Sequence, residues 1–564
     1  MNNGMHRAAD PGALAWAAGL LIALIYGVCM AWLVPHDGLW IMDSGCKLIQ
    51  AEGLVRGGGA YDIRWPGAAL DPELKWAPIP YPFGLQIGGR LFLQYPPLFA
   101  LVSSLPYRFM GFSGLYLLPC LAGLLLLPAV YGIAREAGGR PGAAPLAVLL
   151  TGLAGPVWFY SLSFWEHTLA LAMLGWAVWA GLRHLRSGNA APLAAAGLLC
   201  GLAVYFRDEL YLWIGVWGAV LLVLSPRRRA FWAFPAAALL ALAPLWWFNA
   251  GAVGHPLGHH FAQASDTFAP ASFITDRAEV IRNLFLRAHP QPLLSLLVSV
   301  PLLGLWLWRP RLAGDRGRMA AGFMLLTAAA GVVSLVGVAA AGSPLHALLQ
   351  SNGLFSAAPL LALGFLRFPP DGEAGAQARK ALLALLTGFA VLYAASAPPL
   401  SAQGIHWGCR FLLPLYPCMA VLTAHALARL WDVRSARPAA VLAVAVALLA
   451  QGYSVWLLAQ RQAFTRDVAR AVAARPERAV VTNDPLLTGA YLAPLFHDRL
   501  IFLARTTDEA ARVQERLRKE GIRELAWITT AVPGSPKPPG AIRLEDRRLR
   551  FVAVDILPVR DAAP

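Results

Sequence analysis

The chain has 564 residues, 58% of them hydrophobic and 14% charged, with a mean hydropathy of +0.55. So few charges cannot cover the surface of a water-soluble protein of this length, which excludes a soluble enzyme and predicts a polytopic helical membrane protein. The net charge of +16 does not predict nucleic-acid binding, because Lys and Arg fall in small clusters between apolar runs, the pattern that orients membrane proteins.

The first apolar run, Leu14 to Val34, is long enough at about 1.5 Å per residue to cross a bilayer core of about 30 Å. It is too long for a signal-peptide core and lacks a small-x-small cleavage site, so it reads as a signal anchor. Windows of about 19 residues then place further spans near 115–134, 143–160, 166–183, 192–206, 209–224 and 231–248. The series continues at 292–308, 319–341, 353–366, 380–396, 411–430 and 438–458, about thirteen spans in all. Alternate loops hold Arg135/Arg140, Arg183/Arg186, Arg227 to Arg229, Arg309/Arg311, Arg367/Arg379/Lys380 and Arg429/Arg434. That side, with the N-terminus, is expected to be the cytoplasm of a bacterial inner membrane, and an odd span count puts the C-terminus in the periplasm.

Between the first two spans lies a long outer loop, 35–97, rich in Trp, Tyr, Pro and Gly. Residues 98–110 are apolar but too short to span, and predict a helix lying on the outer face. A second outer loop, about 249–291, carries Gly254-His255-Pro256-Leu257-Gly258-His259-His260. Loops of this length are often functional, and His255, His259 and His260 join His167 as candidate pocket residues. Residues 1–460 form the membrane domain in this reading. Residues 461–564 form a small soluble α/β domain, with strands at Arg478–Thr482, Leu500–Leu503 and Glu524–Thr530 and helices at 485–496 and 507–520. Further strands are expected near Ala541–Arg543 and Leu549–Asp555. The domain has no Gly-rich phosphate loop and reads as a structural or acceptor-facing appendage.

Ionisable residues gather at the outer ends of the spans. Asp43, in Trp40-Ile41-Met42-Asp43-Ser44-Gly45-Cys46-Lys47, follows the first span. Glu166 opens the fourth within Ser163-Phe164-Trp165-Glu166-His167, and Arg207-Asp208-Glu209 separates the fifth from the sixth. His406-Trp407-Gly408-Cys409-Arg410 precedes Phe411-Leu412-Leu413-Pro414. Charges beside hydrocarbon are costly and are commonly paired or functional. A plainer reading pairs Arg207 only with Asp208 or Glu209 and lets Arg410 snorkel to phospholipid phosphate. Taken together, four such features on one face point to a site for an anionic, lipid-borne substrate.

The order of one span, a long loop opening on an acidic residue, Tyr95-Pro96-Pro97-Leu98, a second acidic residue and a late Arg-Phe-Leu-Leu-Pro resembles the GT-C superfamily of integral-membrane glycosyltransferases. The likeness is to its aminoarabinose and galacturonic acid transferases and protein mannosyltransferases, and covers roughly residues 10–460. It implies Asp43 as catalytic carboxylate, Glu166 as second acidic site residue and Arg410 as donor-phosphate contact. Ser44 stands where some branches carry a second acid, and Tyr95 where others carry Lys or His, so the likeness does not extend to the sugar or acceptor.

The chemistry fits that resemblance. No nucleotide sugars exist outside the inner membrane, so the donor there is a sugar on a polyprenyl phosphate, held at headgroup level by Arg410, Arg207, Lys47 and His406. Phosphate leaves without a general acid once its charge is matched, so a single base, Asp43, suffices and the sugar inverts. Glu166 orients the acceptor or a sugar hydroxyl; a divalent cation shared with Asp43 is the weaker alternative. The acceptor is an envelope lipid, glycan or protein. Rival readings are a flippase or transporter, which predicts mid-helix charges, and a polymerase of lipid-linked units with two arginine phosphate sites. Cys46 and Cys409 are expected near each other if Asp43 and Arg410 share a site, packed as thiols rather than bridged.

Overall fold

A computed structural model describes residues 10–58, 61–258, 272–311, 316–368, 372–398 and 404–560. α1 (Pro11–Val28) is capped by Asp10, whose carboxylate accepts from the Gly12 and Ala13 amides, and Pro11 fits the first turn, where no amide hydrogen is needed. It buries Ala18, Ile22 and Tyr26, one residue every four, while Trp16, Leu20 and Leu24 stand exposed as a lipid-facing side does. The loop after it contains α2 (Met42–Gly53) and the antiparallel hairpin β1 (Gly84–Ile87) and β2 (Arg90–Leu93). Next, α3 (Pro97–Met110) buries Phe99, Ala100 and Ser103 and exposes Leu101, Leu105 and Phe109 at four-residue spacing, as a surface-lying amphipathic helix would.

The bundle continues with α4 (Phe112–Glu136), α5 (Ala143–Leu153), α6 (Val157–Ser161), α7 (His167–Ser187), α8 (Ala190–Val204), α9 (Leu210–Leu224) and α10 (Ala233–Val253). After these come α11 (Phe273–Ile281), α12 (Pro292–Trp308), α13 (Arg316–Ala339), α14 (Pro344–Gln350), α15 (Glu373–Ser396), α16 (Leu415–Leu430) and α17 (Arg437–Ala473). Among the described residues, six helices are long and apolar enough to cross a membrane and five shorter ones are apolar. The protein is a multi-pass membrane protein.

Three spans differ from expectation. The 143–160 run breaks at Gly155-Pro156 into α5 and α6. Residues 353–366 hold only a 3₁₀ segment, Pro359–Phe365, with every residue but Gly364 buried. That stretch is apolar because protein surrounds it, and non-helical backbone at membrane depth requires such cover. The last span does not end near 458: α17 has 37 residues, about 55 Å, and runs on through residue 460 to Ala473.

There the chain enters a five-stranded sheet of order β4-β3-β5-β7-β6. β3 (Ala479–Thr482) pairs in parallel with β4 (Leu500–Leu503) and β5 (Glu524–Ala531), and β7 (Ala553–Arg560) lies antiparallel between β5 and β6 (Ile542–Glu545). α18 (Thr507–Lys519) is capped by the Thr506 hydroxyl, which accepts from the Glu509 amide. This domain docks on the first outer loop. Trp65 Nε1 donates to the Ile501 carbonyl at 2.9 Å and the Leu503 amide to the Trp76 carbonyl at 3.0 Å. Gly45 of α2 meets Gly489 so closely that a Cβ would overlap the Gly489 carbonyl oxygen. Buried Arg461 of α17 donates to Tyr491 Oη at 2.8 Å and to the Trp40 carbonyl at 3.3 Å, tying helix, domain and loop together.

Candidate active site

α2 carries Asp43 in its first turn, with Lys47 and Gln50 following at i+4 and i+7 on the same face. All three are buried. Asp43 Oδ1 accepts from the Tyr95 hydroxyl at 2.8 Å, and Oδ2 accepts from Arg410 Nη1 at 2.8 Å. Burial alone would push the Asp43 pKa up, but Arg410, Lys47 and the Tyr95 hydroxyl outweigh it and hold the carboxyl below its usual range. The group is a carboxylate at neutral pH.

One turn on, Lys47 Nζ contacts Glu166 Oε2 at 2.5 Å and lies 4.5 Å from the centre of the Tyr95 ring. Burial lowers the Lys47 pKa, opposed by Glu166 and Asp43. Glu166, at the start of α7, also takes Arg207 Nη1 at 3.2 Å. Arg207 further donates through Nε to Glu209 at 2.6 Å, and its Nη1 lies 2.9 Å from His167 Nε2. Phe411 lies against both arginines, its ring centre 4.7 Å from Arg410 Cζ and 5.9 Å from Arg207 Cζ. Three cations thus interleave with Asp43, Glu166 and Glu209 in one network, contributed by α2, the start of α7, the α8–α9 turn and the segment before α16.

Five of the residues singled out from the sequence, Asp43, Lys47, Glu166, Arg207 and Arg410, therefore come together. Lys47 and Arg207 lie deeper than Arg410: their side chains are 3% and 12% exposed and each meets a carboxylate, because a cation this deep needs a counter-charge. The Arg410 side chain, 18% exposed, is the most open of the three. His406 is fully buried, with its ring centre 5.1 Å from that of Trp165. His167 stacks on Tyr160 beneath Arg207. His255 lies in the turn after α10, where Nδ1 accepts from the Leu257 amide, and His259 and His260 lie outside the described residues.

Sequence reasoning missed the anchoring role of Tyr95 and the packing role of Gly45, whereas the Arg207–Glu209 pair was one of its alternatives. Cys46 and Cys409 are both buried, and the Asp43–Arg410 pair brings their two segments to one place. The oxygens of Asp43 and Glu166 face protein cations and the Tyr95 hydroxyl, and among the described residues no group of three His, Cys, Asp or Glu side chains could hold a metal.

No family model matches the chain, and no curated protein matches it in sequence. Its overall shape is similar to those of several solved structures, three of which follow. One is ArnT from Cupriavidus metallidurans in the apo state: 15% identity over 97% of this chain and 98% of that one, TM-score 0.49. Another is the oligosaccharyltransferase AglB from Archaeoglobus fulgidus in complex with an inhibitory peptide and a dolichol-phosphate, at 14% identity over 92% of this chain and 70% of that one, TM-score 0.46. The third is the arabinofuranosyltransferase AftD from Mycobacteria, at 15% identity over 96% of this chain and 41% of that one, TM-score 0.46.

Proposed function

We propose that the protein is an inverting glycosyltransferase that moves a sugar from a polyprenyl-phosphate donor to an envelope lipid, glycan or protein at the periplasmic face of a bacterial inner membrane. The observation that carries this reading is the pairing of an ionised carboxylate, Asp43, with the most open cation of the network, Arg410. The donor's phosphate competes with Asp43 for the Arg410 fork, which binds phosphate bidentately and never deprotonates. As Arg410 turns to the phosphate, Oδ2 of Asp43 is released and its basicity rises. Asp43 then accepts the proton of the acceptor hydroxyl while that oxygen bonds to the anomeric carbon. The bond from carbon to phosphate oxygen breaks, the electron pair stays on the phosphate, and the configuration inverts. Tyr95 keeps Oδ1 fixed through the exchange. Lys47, Glu166, Arg207 and Glu209 form the rigid frame, and Glu166 orients a hydroxyl.

The placement of charge supports an enzyme over a flippase. Asp43, Glu166, Arg207 and Arg410 stand at or beside helix starts, whereas a pathway through the bilayer would carry them in mid-helix. Contact between α2 and the C-terminal domain supports one side for both, opposite the arginine-rich loops and so periplasmic. The test is reconstitution of the purified protein with a panel of undecaprenyl-phosphate sugars, following release of undecaprenyl phosphate. Release from at least one donor is expected. Failure to bind undecaprenyl phosphate, together with no release from any donor, contradicts the reading.

A further inference from the structure

At the far end of α16 from Arg410 lies a cavity of about 1000 Å³ that the site chemistry does not use. Its described lining carries six arginines and Lys380 against one carboxylate, Asp432, which pairs with Arg140. The cations come from four separate stretches of sequence: the turn after α4, the end of α12, the 367–380 segment and the end of α16. Orientation of the protein in the membrane calls for basic loops on one side, but not for their convergence on a shared hollow. Mutual repulsion among cations that line one cavity opposes their gathering, and a bound anion relieves it. Arg309 shows the strain: burial first, then the neighbouring Arg367, lowers its pKa.

Two features say what kind of anion the cavity takes. Trp308, next in sequence to the lining residue Arg309, is 86% exposed, and Leu307 is 82% exposed, as an interfacial aromatic and its apolar neighbour facing lipid would be. Leu383, Ala384 and Leu422 line the wall that continues from the basic rim into the bundle. We infer that this cavity binds a phosphate-bearing anion, its phosphate among Arg309, Arg367 and Arg429 and any attached chains along the apolar wall, as a second ligand site remote from Asp43. Basic pockets between helices at the membrane surface suit anionic headgroups such as that of cardiolipin. A soluble phosphate would use the same arginines without the wall.

The full-length protein is placed in phosphatidylcholine nanodiscs with and without cardiolipin, and retained lipid is counted by native mass spectrometry. Inorganic pyrophosphate is titrated separately by calorimetry. Arg309→Gln/Arg367→Gln/Arg429→Gln is compared with Arg227→Gln/Arg228→Gln/Arg229→Gln, which removes the same charge from an exposed loop outside the cavity. The cavity variant is expected to hold the probe at least about tenfold more weakly, since each charge-assisted contact is worth about that much. The loop variant should match wild type. Cardiolipin dependence assigns a lipid headgroup, and pyrophosphate binding alone assigns a soluble anion. Equal losses in both variants, or no binding of either probe to wild type, overturns the site. Should the triple variant melt early, Ala384→Trp fills the cavity without altering charge, and full retention of the probe by it would equally overturn the proposal.

Discussion

Replacing Arg410 by Ala removes the cation that faces Asp43 at 2.8 Å, in a pair whose side chains are 18% and 11% exposed. Two unit charges about 4 Å apart at an effective permittivity near 20 attract by roughly 4 kcal/mol before desolvation is subtracted. The partial exposure and the remaining neighbours of Asp43, Lys47 and Tyr95, reduce the expected loss of stability to roughly 1–3 kcal/mol. Donor binding should suffer separately. A lost charge-assisted contact to phosphate is worth about 1.5–3 kcal/mol, or roughly 10- to 100-fold in affinity. Arg410→Lys retains the charge but not the planar fork, so it should still bind about tenfold more weakly. The assay is retention of undecaprenyl phosphate by the detergent-purified variants, with melting measured in parallel to separate folding from binding. If Arg410→Ala holds undecaprenyl phosphate as tightly as wild type, Arg410 does not contact the donor phosphate and Arg207 becomes the next candidate.

Gly45→Ala puts a methyl group onto the Gly489 carbonyl and should destabilise the protein by roughly 3 kcal/mol, the upper range for overpacking, read as a lower Tm and faster proteolysis of the C-terminal domain. Lys47→Met leaves Glu166, a side chain 6% exposed, with Arg207 as its remaining ion-pair partner, at a cost of about 3 kcal/mol. Lys47→Met/Glu166→Gln should recover much of that loss, and an additive double variant would refute the pairing. Because Asp43 titrates below its usual range, its contribution to stability is complete above about pH 4 and is lost as pH falls through the depressed value. The acid limb of kcat/KM should therefore lie below about pH 4 in wild type and move upward in Arg410→Gln; an unmoved limb would mean that another group sets it.

Much of the architecture was legible because the same apolar surface that buries a helix also repeats along it. The stripe of α3 and the core strands of the C-terminal domain could both be read this way. Residues 353–366 defeated that logic, since a segment enclosed by protein is as apolar as one enclosed by lipid. The end of α17 was hidden for the opposite reason: Gln460, Arg461 and Gln462 look like a loop in sequence, yet Arg461 and Gln462 are buried against the C-terminal domain and its neighbours. In the site, Asp43, Glu166, Arg207 and Arg410 stood out because ionisable groups beside hydrocarbon demand an explanation. Which cation meets which carboxylate is a tertiary fact, and no spacing in the sequence encodes that Lys47 belongs to Glu166. Tyr95 looked like a missing cation and instead donates to Asp43. The histidines of 255–260 were chosen for their place in a long outer loop, and His255 makes a contact within its own turn that the sequence does not spell out.

The central claim is that Asp43 takes the acceptor's proton. Asp43→Asn keeps the side chain's size and its capacity to accept a hydrogen bond but removes its basicity. Single-turnover transfer should be measured with the purified variant at saturating donor, alongside binding of undecaprenyl phosphate. The rate should fall by about 10²-fold or more with donor binding retained, the scale expected for loss of a general base. Turnover near that of wild type in Asp43→Asn would contradict the claim.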